Sequence, residues 1–290
     1  MSVKAAVQAR HRTLMQGVLV LAGAVALFLT AGFFLQWPPV TRLWPWPDAS
    51  LSYTFIASIF AAVAAPVIWL GLSGDFGAAR GGAINLGVVF AGAAVVFAGW
   101  LGASSLPQWG PALTCLAGVV LNGMLFVWTR KLRMLDSTPT PPLVRFSFAF
   151  FTLALITVGM GLFLHRPVFP WGLDPASSTI FSFAFFGAAY YFGYGVVRPC
   201  WSNAVGQLLS FLAYDLVLII PYLMRLLGGE GEGPASPYMY GSYGSAPSAP
   251  QGGGTLSLVL YILVLLYSAA LAVYHLMIHP RTRLWSRQQG

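Results

Sequence analysis

An all-α bundle of about eight membrane-spanning helices is the fold class that this sequence predicts, and three observations predict it. Of 290 residues, 58% are hydrophobic and only 8% charged, whereas about 25% of a soluble domain is charged. Apolar runs near the roughly 20 residues that cross a hydrocarbon core as helix recur along the chain, at 14–36, 51–72, 82–104, 111–129, 144–165, 178–197, 203–227 and 255–278. The basic residues between these runs fall mostly on alternate sides, as they do where positive charge orients helices.

The first run follows Lys4, Arg10 and Arg12 and is longer than the 7–15-residue core of a signal peptide, so it reads as a permanent helix. The second begins after Trp44-Pro45-Trp46 and carries Ala57, Ala61 and Ala65, a small-residue spacing that lets helix backbones approach closely. The third contains Asn85, and the fourth Asn122 and Cys115. The fifth ends at His165. The sixth follows Phe169-Pro170-Trp171 and repeats the small-residue spacing at Ala184 and Ala188. The two aromatic-Pro-Trp stretches predict short non-helical segments whose Trp rings anchor at the membrane interface.

The seventh run carries most of the polarity. At 100° per residue, Asn203, Gln207, Ser210 and Tyr214 form one stripe, while Asp215 points about 80° from Gln207 and shares its direction with Tyr222. The stripe and the acid are therefore expected to face different neighbours. Pro221 removes the backbone donor for Val217, a break that in transporters lines substrate sites. The eighth run ends with His275 and His279, four residues apart, expected at the headgroup level beside Arg281 and Arg283.

With eight spans both termini share a side. That side holds Lys4, Arg10, Arg12, Arg80, Arg130, Lys131, Arg133, Arg145, Arg198, Arg281, Arg283 and Arg287, against Arg42, Arg166 and Arg225 on the other. Both termini are accordingly expected to be cytoplasmic, in an inner-membrane-type multi-pass protein. The net charge of +8 is thereby explained by topology and implies no nucleic-acid partner; the expected partners are the lipid bilayer and, on one reading, other membrane subunits. Cys115 and Cys200 fall on opposite sides, too far apart for a disulfide.

The chain reads as a single bundle over 1–290, with two similar units at 14–129 and 144–278. "GFFLQW" at Gly32 corresponds to "GLFLHR" at Gly161, the two aromatic-Pro-Trp stretches correspond, and Phe60-Ala61-Ala62 falls on Phe186-Gly187-Ala188. Asn85 falls near Gln207, whereas Asp215 matches a position near Ala93, so the acid belongs to one unit only. Residues 228–254, rich in Gly, Ser, Pro and Tyr, are expected to be a flexible non-cytoplasmic loop.

No stretch outside the spans is large enough for a Rossmann or P-loop domain, and neither GxGxxG nor GxxxxGK[ST] occurs. No nucleophile-base pair or metal constellation is evident; Asp75 and Asp136 read as solvated loop charges, and the cofactor is left open, a pigment, quinone or lipid contact being a third reading of Asp215. Two functional readings follow. The first is an accessory or scaffold component of a membrane complex, without catalysis. The second is a transporter of a small solute, ion or proton using Asp215, Gln207, Asn203, Ser210, Tyr214 and Tyr222, with Asn85 and Asn122 as further polar contacts. An ionised acid at a helix centre costs about 2.5–3.5 kcal/mol on insertion scales, so Asp215 is expected to be neutral and bonded to a neighbouring helix, or paired with a cation or water.

Overall fold

The computed structural model describes residues 3–46, 48–100, 107–228 and 255–284. The described part is all-helical: α1 (Val3–Phe34), the short α2 (Pro38–Thr41), α3 (Ser50–Ser73), α4 (Ala79–Phe97), α5 (Trp109–Thr129), α6 (Pro142–Phe163), α7 (Pro175–Val197), α8 (Trp201–Gly228) and α9 (Thr255–Val273). A 3₁₀ turn, Phe76–Ala78, leads into α4, and a π-helical turn, Tyr274–Ile278, closes α9. Eight helices among the described residues are long and apolar enough to cross a membrane. The predicted loop lies almost entirely outside the described residues.

Helix ends follow local chemistry. Asp174 caps α7 by accepting from the Ala176 amide at 2.8 Å, with Pro175 opening the helix, as an N-cap acid followed by proline should. Gly74, left-handed at φ 68°, closes α3. The predicted third span shifts: its helix stops at Phe97 because Gly99 turns left-handed at φ 75°, although the sequence stays apolar beyond it.

α1 and α6 end alike. After α1 the Trp37 amide reaches Gly32 carbonyl at 2.8 Å and the Gln36 amide reaches Phe33; after α6 the Arg166 amide reaches Gly161 at 2.9 Å and the His165 amide reaches Leu162. Among the described residues Gln36 and His165 are the non-glycine residues with positive φ, at 51° and 52°. A Cβ on Gly32 or Gly161 would strike Val40 or Val168, at 2.6 and 2.7 Å, so glycine is required for the returning chain to pack there.

The helices pair as α1 with α3, α4 with α5, α6 with α7 and α8 with α9, and the pairs are joined by α3 against α8 and α4 against α7. Exchanging α1, α3, α4 and α5 for α6, α7, α8 and α9 leaves these pairings unchanged. At the centre Phe55 of α3 and Phe181 of α7 meet with ring centroids 4.9 Å apart, surrounded by Phe169, Phe185 and Trp171.

Two expectations are corrected here. The aromatic-Pro-Trp stretches are not interface anchors: Trp46, Phe169 and Trp171 are buried, because the segments turn inward over the helix ends. Trp171 Nε1 donates to Ser52 on α3 at 2.9 Å, while Trp44 Nε1 donates to Ser177 on α7 at 3.1 Å. Asp75 is not a solvated loop charge either. It is buried and accepts from the Leu135 amide at 3.1 Å, part of an end where Arg80 bonds the Thr129 and Leu132 carbonyls and residues 136–140 pair with 199–202.

Candidate functional site

α8 places the predicted polar residues on two faces, but Tyr214, expected on the stripe with Asn203, Gln207 and Ser210, turns toward α9 with Asp215 and Tyr222. Toward α7, the Asn203 amide donates to Arg198 carbonyl at 2.9 Å and the Gln207 amide donates to Tyr191 carbonyl, while Tyr191 presents its hydroxyl to Ser210. Gln207 sits so tightly against Gly195 that a Cβ there would lie 2.3 Å from its Oε1. Asn203 Oδ1 and Gln207 Oε1 have no hydrogen-bond partner in the protein.

Toward α9, Tyr214 and Tyr261 share a hydrogen bond between their hydroxyls, and Tyr222 packs on Tyr261 with centroids 5.2 Å apart. Asp215 lies one helical face-repeat from Tyr222, beside Ser268 of α9. Only 1% of Asp215 is exposed, and neither carboxyl oxygen has a hydrogen-bond partner in the protein. Ser268 directs its hydroxyl at the Val264 and Leu265 carbonyls, at 2.8 and 3.2 Å. Asn122, Tyr190, Tyr191, Tyr194 and the backbone near Pro221 make no hydrogen bond to Asp215, and α8 continues through Pro221.

Asn85 and Asn122 do not join this group. Asn85 packs against Gly187 at the α4–α7 contact, and Asn122 on α5 donates to its own helix at Gly118, 2.9 Å away.

Two residues that the sequence did not single out, Tyr261 and Ser268, complete the α8–α9 seam together with His275. Tyr261, Ser268 and His275 are spaced by seven, as Asp215 and Tyr222 are, and the two antiparallel helices bring these positions face to face. The signal was the shared heptad spacing, which keeps one face of each helix against a fixed partner. His275 is also a correction to the headgroup-level expectation: it is 3% exposed, lies 6.4 Å from the Trp201 ring, and has no partner at either ring nitrogen. The π-helical turn rotates it inward, while His279 faces Thr282 at 3.2 Å. Among the described residues no group of three or more His, Cys, Asp or Glu could hold a metal.

A third buried acid, Asp48, was not singled out from the sequence. Its Oδ1 accepts from the Asp174 amide at 3.2 Å, and its Oδ2 accepts from Trp44 Nε1 at 3.0 Å and from the Ser177 hydroxyl. Burial pushes its carboxyl up to about 6, outweighing the bonds from Ser177, Trp44 and the Asp174 amide, with the nearby Asp174 charge adding to the rise. Asp48 thus has every donor it needs, whereas the Ser268 hydroxyl beside Asp215 is directed at backbone carbonyls. No family model matches this chain, and neither a curated protein nor a solved structure does.

Proposed function

We propose that the protein is a membrane transporter for a small cation, proton or small solute, with its path along α8 past Asp215. The observation that carries this reading is the buried, unpartnered carboxyl. A buried polar group left without a partner costs about 1–3 kcal/mol, more if charged, and an acid serving only to bind two helices together would be bonded as Asp48 is. An intramembrane acid facing the bundle interior is by default a candidate functional group, ion and proton pathways being among its roles.

The test is flux in vesicles reconstituted with the full chain, comparing wild type with Asp215→Asn, which keeps shape and removes the ionisable group. Flux is expected to fall about tenfold or more, with an unchanged thermal midpoint. Equal flux in a folded Asp215→Asn protein removes the reading. Absence of flux in the wild type for protons, alkali cations and small solutes alike leaves the accessory or scaffold subunit standing.

Two finer features belong to the same proposal. The helix-pairing pattern, the matched left-handed turns at Gln36 and His165, and the crossed Trp44–Ser177 and Trp171–Ser52 bonds support duplication of a four-helix unit, related by an axis along the membrane normal. The distribution of basic residues supports cytoplasmic termini in an inner membrane.

A further inference from the structure

We infer that the transported species is the proton, relayed along the α8–α9 seam by Tyr222 with Tyr261, by Asp215, and by His275. This inference rests on the transport reading and narrows it.

Asp215, Tyr222 and His275 are each more than nine-tenths buried, and none has a hydrogen-bond partner in the protein on its carboxyl, hydroxyl or imidazole atoms. They occupy one seam rather than scattered sites. From Tyr261 to His275 the seam runs fourteen residues of helix, about 21 Å, which is most of a hydrocarbon core of about 30 Å. Each of the three groups can both accept and release a proton. No other property unites a carboxyl, a phenol and an imidazole on one face.

The seam is poorly made for a bare metal cation. Such an ion takes about six oxygen ligands, whereas around Asp215 the nearby hydroxyl of Ser268 is committed to backbone carbonyls and those of Tyr214 and Tyr261 to each other. The packing between these groups is Leu218, Ile262 and Leu265. His275 stands in a π-helical turn, an irregularity common at functional sites that here aims the ring at the bundle interior.

The groups that would modulate the relay are few. Asp215 is faced by Tyr214 on its own helix and by Tyr261 and Ser268 on α9, while α3 presents Phe55 to Tyr214 and α7 meets α8 through Tyr191. His275 is faced by His279 and Tyr274 from its own segment and by Trp201 from α8. Tyr222 is faced by Tyr261, by Trp171 and by Arg225, which bonds Pro170 carbonyl at 2.8 Å.

The transfer balances without a co-reactant. A proton taken up at one imidazole nitrogen of His275 leaves from the other, protonates one oxygen of Asp215 while the opposite oxygen releases its own, and passes through the tyrosine hydroxyls. Every group ends in its starting state after side-chain reorientation, and one H⁺ has crossed. Successive layers are about 10 Å apart and the side chains between them are apolar, so transfer from one layer to the next requires roughly two or three waters to enter the seam.

The experiment uses the full chain in phosphatidylethanolamine–phosphatidylglycerol vesicles loaded with a pH dye, with an imposed membrane potential, and measures proton, Na⁺ and K⁺ flux in parallel. Proton flux without Na⁺ or K⁺ flux is expected, falling about tenfold or more in Asp215→Asn, several-fold in His275→Gln and Tyr222→Phe, and returning in part in Asp215→Glu. A structural role would not produce the Glu rescue. Na⁺ or K⁺ flux without proton flux overturns the inference while leaving transport in place. Flux of nothing tested overturns both. The wild-type selectivity needs no variant, so a misfolded Asp215→Asn does not blunt the test, and unchanged proton flux in folded His275→Gln and Tyr222→Phe together also overturns the relay.

Discussion

Asp48 and Asp215 are carboxyls withdrawn from water by the same fold, and their donors separate them. Asp48 ties the segment after α2 to the first turn of α7, across 129 positions to Ser177. Held at about 6 against an ordinary 3.8, it retains its proton in the folded protein over a range where the unfolded chain has released it. Its stabilising contribution is therefore complete below about pH 4 and lost as pH rises through about 6. The thermal midpoint of the wild type in detergent is expected to fall across that range relative to Asp48→Asn, and parallel curves for the two proteins would refute the assignment. Asp215 was legible from sequence because an acid inside a long apolar run is conspicuous. Asp48 was not, because the sequence shows it beside Trp-Pro repeats and only the fold supplies Ser177 and the Asp174 amide.

Helices carry their packing in their glycines. Gly92 on α4 lies against Phe183 of α7, where an added Cβ would come within 2.0 Å of the ring, whereas Gly123 on α5 has nothing within 4 Å. Replacing a helical glycine with alanine favours helix by about 1 kcal/mol, so Gly123→Ala is expected to leave the thermal midpoint unchanged or raised. Gly92→Ala is expected to lower it, since α4 and α7 must separate. Equal shifts in the two variants would show that this helix contact is not as close as described. Periodicity on α8 separated Gln207 from Asp215, but it grouped Tyr214 with the stripe, and it could not say that α7 takes one face and α9 the other. Nor did it single out Tyr261 and Ser268, or show that His275 continues their spacing, which looks unremarkable on a strongly apolar helix until α8 is laid against it.

For the whole molecule, the arrangement of basic residues makes a topological prediction that exposed positions can test. Leu43 and Leu135 are both largely exposed and lie at opposite ends of the bundle. In a chain lacking Cys115 and Cys200, Leu43→Cys is expected to react with a membrane-impermeant thiol reagent in intact cells, and Leu135→Cys only after permeabilisation. The reverse pattern would invert the orientation and place the His275 end of the seam outside. The sequence by itself determined the membrane class, the eight apolar helices and the presence of one acid within them, because length, hydropathy and charge are properties of each segment alone. Only the tertiary structure decided that the aromatic-Pro-Trp segments turn inward, that Asp75 and His275 are buried, and that the Ser268 hydroxyl beside Asp215 is directed at backbone carbonyls. Those outcomes depend on which helices become neighbours, and in a chain of nearly uniform apolar helices the pairing is set by close side-chain and backbone fit that no single segment displays.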